Sequence, residues 1–310
     1  MIIQTGQRTD ILAFYPEWLH NRLKAGFVMV RNPYKPDVVT RYSLSPDVVD
    51  LITFCTKNPE PFFEYMGDLE PYTQFWYMTI TPYGTHIEPN VPNFSKGIEN
   101  FKKLSDMVGP DHIGWRYDPV FITENYSVEK HIEYFEKMAS ELSGYTHLAV
   151  FSFLDLYRKV QRNFPEGKKV TEQERAALAQ AFAKTGMKYN MTVKACAEGD
   201  SLEKYGIDCS GCFIPEMFEG ILHGRLNVPA GRTPREECGC ILSGDIGAYN
   251  SCGHLCRYCY ANADAELVKH NMKLHDPKSP FLIGHEEPGD ILREARQESW
   301  LDFQLNWFGI

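Results

Sequence analysis

Short apolar runs recur along the chain and set the expected framework. They are rich in β-branched and aromatic residues, a composition typical of buried strands. They fall at residues 2–5, 51–55, 75–81, 113–117, 147–153, 190–196 and 245–249. Residues 27–30 predict a further strand or a hairpin.

Helical periodicity fills several of the intervals between these runs. Apolar side chains share one helical face over residues 98–108. A second helix is predicted to begin at Ser127, and a third opens with Thr171 and Glu174 in the spacing of a capping box. A last helix is expected near residues 290–300.

Strands that alternate with helices predict a parallel α/β sheet. Seven such strands fit a closed or partly closed (β/α) TIM-like barrel better than an open doubly wound sheet, although periodicity does not decide between them. We expect residues 1–200 to form the barrel body and residues 201–310 to form a cysteine-rich region that completes the barrel.

Polar residues follow the apolar runs and, in a barrel, converge on the rim where active sites lie. For each residue alone, contact with solvent explains its polarity more simply, so only the joint pattern points to a site. These residues are Arg8, Asp10, Lys57, Asn58, Thr85, His86, Arg116, Asp118, Asp155, Cys196 and Glu198.

The charge of the chain narrows the choice of partners. A formal net charge of −9 argues against the basic surface that nucleic-acid binding usually needs. No run approaches about 18 consecutive apolar residues, and the first ten residues lack the features of a signal peptide. We therefore expect a cytoplasmic protein with neither a membrane nor a nucleic-acid partner.

Nine cysteines in a reducing compartment predict metal binding rather than disulfides. Cys252, Cys256 and Cys259 form Cys-x3-Cys-x2-Cys, and three thiolates this close can surround one cuboidal cluster. One metal position then stays open, as in reactive metal sites. The alternatives are a zinc knuckle or a buried thiol cluster, although the spacing is uncommon for zinc and differs from the ferredoxin run.

This segment, with Tyr258 just before the last cysteine, resembles the signature of the radical S-adenosylmethionine superfamily. The resemblance implies that the three cysteines bind a [4Fe-4S] cluster and that Tyr258 lies against the adenine of S-adenosylmethionine. In that superfamily one electron, from a reductant such as ferredoxin or flavodoxin, cleaves the sulfonium compound. The resulting 5′-deoxyadenosyl radical takes hydrogen from a substrate, which the sequence does not identify here.

A longer pattern resembles an uncharacterised bacterial family of unknown function that spans essentially the whole chain. The pattern comprises residues 245–262, Arg8-Thr-Asp-Ile near the N-terminus and Arg116-Tyr-Asp-Pro119 midway. Radical enzymes usually carry their cysteines after the first barrel strand, whereas here they follow the last apolar run. A circularly permuted barrel reconciles the two orders, because the last strand then takes the first place.

In such a permuted barrel the N-terminal strand occupies the second position. Thr5, Gly6 and Arg8 then lie where the superfamily's Gly-Gly-Glu-Pro loop holds the methionine amino group, although they do not match that motif. Arg116 and Asp118 are expected to form an ion pair at a strand end or to contact cofactor or substrate.

A second metal site is indicated by Cys209-x2-Cys212 and Cys238-x-Cys240, which could form a four-thiolate zinc site by themselves. Cys196, at the end of a predicted strand, is a fifth candidate. The resemblance to the uncharacterised family favours Cys196, Cys212, Cys238 and Cys240 and leaves Cys209 outside. We expect an auxiliary [4Fe-4S] cluster here in preference to zinc, although the spacing does not separate them, because both accept tetrahedral sulfur.

A different class of function also fits these patterns. The chain is then a non-catalytic iron–sulfur or zinc protein that serves electron transfer or assembly.

Two further residues have simple interpretations. Cys55 is expected to be a buried strand residue, and His254 to be a solvated loop histidine rather than one that tunes a cluster by hydrogen bonding.

Overall fold

The computed structural model describes residues 1–231, 237–241 and 244–302, so parts of the predicted region 201–310 lie outside the described residues. The strands are β1 (Ile2–Thr5), β2 (Phe27–Arg31), β3 (Val38–Ser43), β4 (Leu51–Thr56), β5 (Gln74–Thr79), β6 (Ile113–Val120), β7 (Leu148–Phe153), β8 (Thr192–Ala195), β9 (Arg225–Leu226), β10 (Gly244–Asp245), β11 (Ile291–Glu294) and β12 (Leu301–Asp302). The α-helices are α1 (Ile11–Phe14), α2 (Pro16–Ala25), α3 (Phe94–Val108), α4 (Val128–Leu142), α5 (Arg158–Asn163), α6 (Glu172–Lys188), α7 (Pro215–Leu222) and α8 (Ala265–Lys273). Short 3-10 helices cover Glu60–Leu69, Pro110–His112 and Glu203–Tyr205.

Seven strands form one parallel sheet in the order β10-β1-β4-β5-β6-β7-β8. The predicted parallel α/β sheet is thus confirmed. The last predicted run, residues 245–249, contributes only one residue to the short strand β10. Within the part of the chain that the structure describes, the edge strands β8 and β10 do not pair with each other, so a closed barrel is not seen.

Both faces of the sheet are buried. Trp76, Trp115 and Phe151 belong to the larger core, which the helices share. On the other face, Tyr77 packs with Phe213 of the cysteine-rich segment, at a ring-centroid distance of 5.1 Å. Burial on two faces explains why the strands read as continuous apolar runs rather than as alternating ones.

The predicted helix starts are confirmed by their caps. The side chain of Ser127 accepts a hydrogen bond from the backbone of Lys130 at the start of α4. Thr171 and Glu174 form the predicted capping box at the start of α6. Helices α7 and α8 lie where no helix was predicted. No helix among the described residues is long and apolar enough to cross a membrane.

The prediction of a helix near residues 290–300 is wrong. Strand β11 lies there instead and pairs in parallel with β3, which also pairs antiparallel with β2 as the expected hairpin. The main-chain N–H of Ile291 donates to Asp37, and that of Ala295 donates to Arg41. All four residues of β11 are exposed, so a helix here has no apolar face to bury and strand pairing prevails over helix propensity.

Gly6 brings β1 and β4 unusually close together at their carboxyl ends. Its φ is +145°, and a Cβ at this position would lie 2.1 Å from the backbone oxygen of Cys55. We expect Gly6→Ala to lower the free energy of unfolding by about 2–4 kcal/mol, because backbone strain and the clash both oppose the side chain. Urea denaturation checks this value, and a change below about 0.5 kcal/mol would contradict it.

Candidate metal and cofactor site

The first cysteine set, Cys252, Cys256 and Cys259, lies in the loop that follows β10 at the carboxyl end of the sheet. A turn closes its second half, since the N–H of Cys259 donates to the carbonyl of Cys256 over 3.0 Å. The amide of Asn262 donates to the Cys252 carbonyl over 2.9 Å, and the N–H of Ala261 points at Cys259 Sγ over 3.3 Å. The loop therefore holds three thiols in one compact segment.

Burial makes these thiols poor acids by themselves. It raises the pKa of Cys252 to about 12, and the neighbouring Asp10 carboxylate and Cys259 thiol add to the rise. Burial also raises the pKa of Cys256 well above its ordinary value, helped by Glu88 and opposed by Lys57. The pKa of Cys259 is raised by burial as well. Three thiolates are stable together here only if positive charge, such as that of a metal, compensates them.

A buried carboxylate, Glu88, anchors Tyr258 of the cysteine loop. Glu88 is 2% exposed and accepts hydrogen bonds from the Tyr258 hydroxyl, from Lys57 Nζ over 2.9 Å and from Thr81 Oγ1 over 2.9 Å. The Lys57 ammonium lies 5.9 Å from the centroid of the Tyr258 ring. Burial lowers the pKa of Lys57, but the attraction of Glu88 and Cys256 outweighs it, so the pKa is raised. Lys57, whose side chain is 13% exposed, is therefore a largely buried cation beside the first cysteine set.

The aromatic ring of Tyr258 packs inside the protein. Its centroid lies 5.7 Å from that of Phe121 and 6.0 Å from that of Tyr83, and the residue is 8% exposed. The contact with adenine stays a prediction, because these packing contacts do not test it.

A second buried carboxylate, Asp10, anchors His254. The Asp10 Oδ2 atom lies 2.8 Å from His254 Nε2 and accepts from the Lys57 backbone N–H over 2.7 Å. The other ring nitrogen of His254 donates to the Asn90 carbonyl over 3.1 Å. With 2% exposure, His254 is not the solvated loop residue that we expected. Instead it ties the cysteine loop to the segments that follow β1 and β5.

The segment after β5 continues this attachment. The side chain of Asn90 donates to the Gly253 carbonyl over 2.7 Å, and the N–H of Arg257 donates to Ile87 over 3.0 Å. The cysteine loop is thus fixed along much of its length by residues 87–90.

The predicted residues of the N-terminal strand lie beside β10. Thr5 is 1% exposed, and its hydroxyl donates to the Thr53 carbonyl over 3.4 Å. Gly6 faces Cys55, as described above. The guanidinium of Arg8 lies 3.4 Å from the Asp245 carboxylate at the end of β10. Arg8 thus joins β1 to the strand before the cysteines, whereas Thr5 and Gly6 contact β4. The predicted contact of all three residues with methionine stays a prediction.

Arg116 and Asp118 form an ion pair with an N–O distance of 2.6 Å at the end of β6. Arg116 Nη1 also donates to Cys212 Sγ over 3.5 Å, so this pair touches the second cysteine set. Asp118 accepts a further hydrogen bond from Ser152 on β7. Cys55, only partly buried on β4, interacts electrostatically with Arg116 and with Asp245.

The structure brings Cys196, Cys212, Cys238 and Cys240 together and leaves Cys209 outside this second cysteine set. Cys212 Sγ lies 3.3 Å from Cys196 Sγ and 3.5 Å from Cys240 Sγ, and Cys238 is hydrogen-bonded to Cys240. Hydrogen bonding from Cys212 and Cys240 lowers the pKa of Cys196 well below its ordinary value. Cys209 points at the Ile207 carbonyl over 3.9 Å instead.

Neither set is arranged round an ion-sized centre. Within the described ranges, no group of three or more His, Cys, Asp or Glu side chains has the arrangement of a site for one metal ion. The sulfur contacts of the second set are shorter than the separation of about 3.8 Å that tetrahedral Zn–S bonds of about 2.3 Å impose. A cuboidal cluster separates its ligand sulfurs more widely still.

Sequence reasoning overlooked Glu88 and Asn90 and assigned no role to Asp10 beyond its place on the rim. Asp10 follows β1 directly, which is the usual signal for a residue at the carboxyl end of a sheet. Glu88 and Asn90 lie in the long loop after β5, where no periodic pattern marks them.

The fold and the site together define a parallel α/β protein that carries a partly buried three-cysteine loop at the carboxyl ends of its strands. Residues 2–261 match the family described as a domain of unknown function (DUF1848), and the chain belongs to that family. No curated protein and no solved structure matches the chain.

Proposed function

We propose that the chain is a cytoplasmic radical S-adenosylmethionine enzyme whose [4Fe-4S] cluster is held by Cys252, Cys256 and Cys259. The observation that carries the proposal is the partly buried three-cysteine loop after β10, in which Cys256 and Cys259 lie within electrostatic range of the largely buried cation Lys57. Three thiol donors without a fourth fit a cluster with one open iron better than a closed structural zinc site.

The strand order supports a circularly permuted barrel as the framework. The sheet runs from β10 through β1 to β8 without the reversal that marks doubly wound sheets. Strand β10, which precedes the cysteines, is an edge strand and pairs with β1 in parallel. In this arrangement β10 takes the first place that the superfamily gives to the strand before its cysteines.

The residues of this chain have distinct roles in the proposed reaction. Cys252, Cys256 and Cys259 would hold the cluster, which would supply the single electron that reductive cleavage of S-adenosylmethionine requires. Glu88 and Asp10 hold the cysteine loop in place through Tyr258 and His254. Lys57 offsets the negative charge of the thiolates. The aromatic rings around Tyr258 exclude water from one side of the site.

For the second cysteine set, the sulfur contacts favour one Zn²⁺ ion over a second cluster. Movements of a few tenths of an ångström bring the sulfurs to the separations of tetrahedral zinc. We expect about one zinc per chain, lost in Cys212→Ala while the iron content stays near that of the wild type. Elemental analysis by mass spectrometry checks this, and a loss of about four irons instead would assign a second cluster to the set.

Anaerobic reconstitution with iron and sulfide tests the proposal. The reconstituted protein is expected to be brown and, once reduced with dithionite, to convert S-adenosylmethionine to 5′-deoxyadenosine and methionine. A colourless protein loaded only with zinc would contradict the radical function and favour a non-catalytic metal protein.

A further inference from the structure

Next to the first cysteine set, the surface carries positive charge although the chain as a whole carries a net charge of −9. Six cationic side chains lie on α5, on the segment after it and on the cysteine loop. The same segments carry three carboxylates, Asp155, Glu166 and Asp264, and Glu166 forms an ion pair with Arg257. We call these cations the basic patch: Arg158, Lys159, Arg162, Lys168, Lys169 and Arg257. The local excess of three positive charges stands out against an acidic protein.

The basic patch is attached directly to the cysteine loop. Lys159 Nζ donates to the carbonyl of Tyr260, the residue after Cys259. Arg162 Nη2 donates to the Ala263 carbonyl over 2.6 Å, and Arg257 Nε donates to Asn163 over 3.1 Å.

The patch is also accessible. Arg158, Arg162 and Lys169 are exposed, and Tyr157 and Tyr260 are 46% and 49% exposed beside them. Cationic side chains around half-exposed aromatic rings are typical of protein interfaces rather than of a surface that only faces water.

We propose that the basic patch is the docking surface for a small, strongly acidic one-electron carrier protein. This inference rests on the proposed function, which requires one electron per cleavage at the first cysteine set. The patch gives such a carrier a charge-complementary approach to the loop that holds Cys259. A nucleic acid fits less well, because the patch is short and is interrupted by carboxylates, whereas phosphate-backbone binding usually needs an extended basic surface.

The test uses a reduced acidic flavodoxin as the probe and the double variant Arg158→Glu/Lys169→Glu. The dissociation constant of flavodoxin from the double variant, measured by calorimetry at low ionic strength, is expected to be at least about tenfold higher than that from the wild type. The ratio of the flavodoxin-driven to the dithionite-driven rate of 5′-deoxyadenosine formation is expected to fall by a similar factor. Added salt should weaken flavodoxin binding to the wild type more than to the variant.

The matched control is Lys24→Glu/Lys184→Glu, which makes the same change in net charge at exposed residues of α2 and α6. Its affinity for flavodoxin is expected to stay within about twofold of the wild type. Equal losses in both double variants, or none in either, would overturn the docking surface while leaving the radical function intact. The docking surface would also be overturned if the patch variant lost binding to single-stranded RNA but kept the wild-type affinity for flavodoxin. If the wild type forms no 5′-deoxyadenosine with dithionite, the proposed function fails first and the docking role fails with it.

Discussion

Replacing Cys256 with alanine is expected to abolish 5′-deoxyadenosine production by the reconstituted protein and to remove about four irons per chain. Cys256 is the central member of the first cysteine set, and its partly buried thiol lies within electrostatic range of Lys57 and Glu88. With only two thiols left, the loop cannot hold a cuboidal cluster that already lacks a fourth protein ligand. Product analysis by liquid chromatography and iron analysis measure the two losses.

Cys209→Ala is the matched control for this variant. Cys209 lies outside both cysteine sets and is only partly buried, so its removal is expected to leave iron content and product formation near the wild-type values. Far-UV circular dichroism should show that both variants keep the fold. If the Cys256→Ala variant forms 5′-deoxyadenosine at the wild-type rate, the assignment of the first cysteine set is wrong.

Replacing Glu88 with alanine is expected to cost about 3–5 kcal/mol of stability and to prevent cluster assembly. The substitution leaves the Lys57 ammonium buried without its carboxylate and leaves the hydroxyls of Tyr258 and Thr81 without an acceptor. Losing one partner of a buried ion pair usually carries a penalty of this size. Denaturation in guanidinium chloride measures the stability, and iron analysis after reconstitution measures the assembly.

Two controls separate the charge of Glu88 from its shape and from surface effects. Glu88→Gln keeps an acceptor oxygen and the side-chain volume, so we expect a smaller loss of about 1–3 kcal/mol. Glu99→Ala removes an exposed carboxylate of α3 and is expected to change stability by about 0.5 kcal/mol or less. A Glu88→Ala variant as stable as Glu99→Ala would show that Glu88 does not anchor the cysteine loop.

Much of the sheet could be predicted from the sequence because its strands are buried on two faces. Runs such as that of β7 read as continuous apolar segments and therefore stand out. Capping residues such as Thr171 mark helix starts through local chemistry alone. The short strand β10 was harder to delimit, since only two of its residues pair with β1.

Other features depend on contacts between distant parts of the chain. Strand β11 pairs with β3 across some 250 positions of sequence, and nothing in its own composition indicates a strand. The burial of His254 likewise depends on Asp10, which follows β1, and on Asn90 in the long loop after β5. The cysteine motif, in contrast, was visible at once because its chemistry is encoded in local spacing.

The most direct test of the central claim is electron paramagnetic resonance of the reduced, anaerobically reconstituted protein with and without S-adenosylmethionine. If Cys252, Cys256 and Cys259 hold a cluster with one open iron, the signal of a reduced [4Fe-4S] cluster should appear and should shift when S-adenosylmethionine is added. Absence of an iron signal, or a signal that S-adenosylmethionine leaves unchanged, would contradict the account.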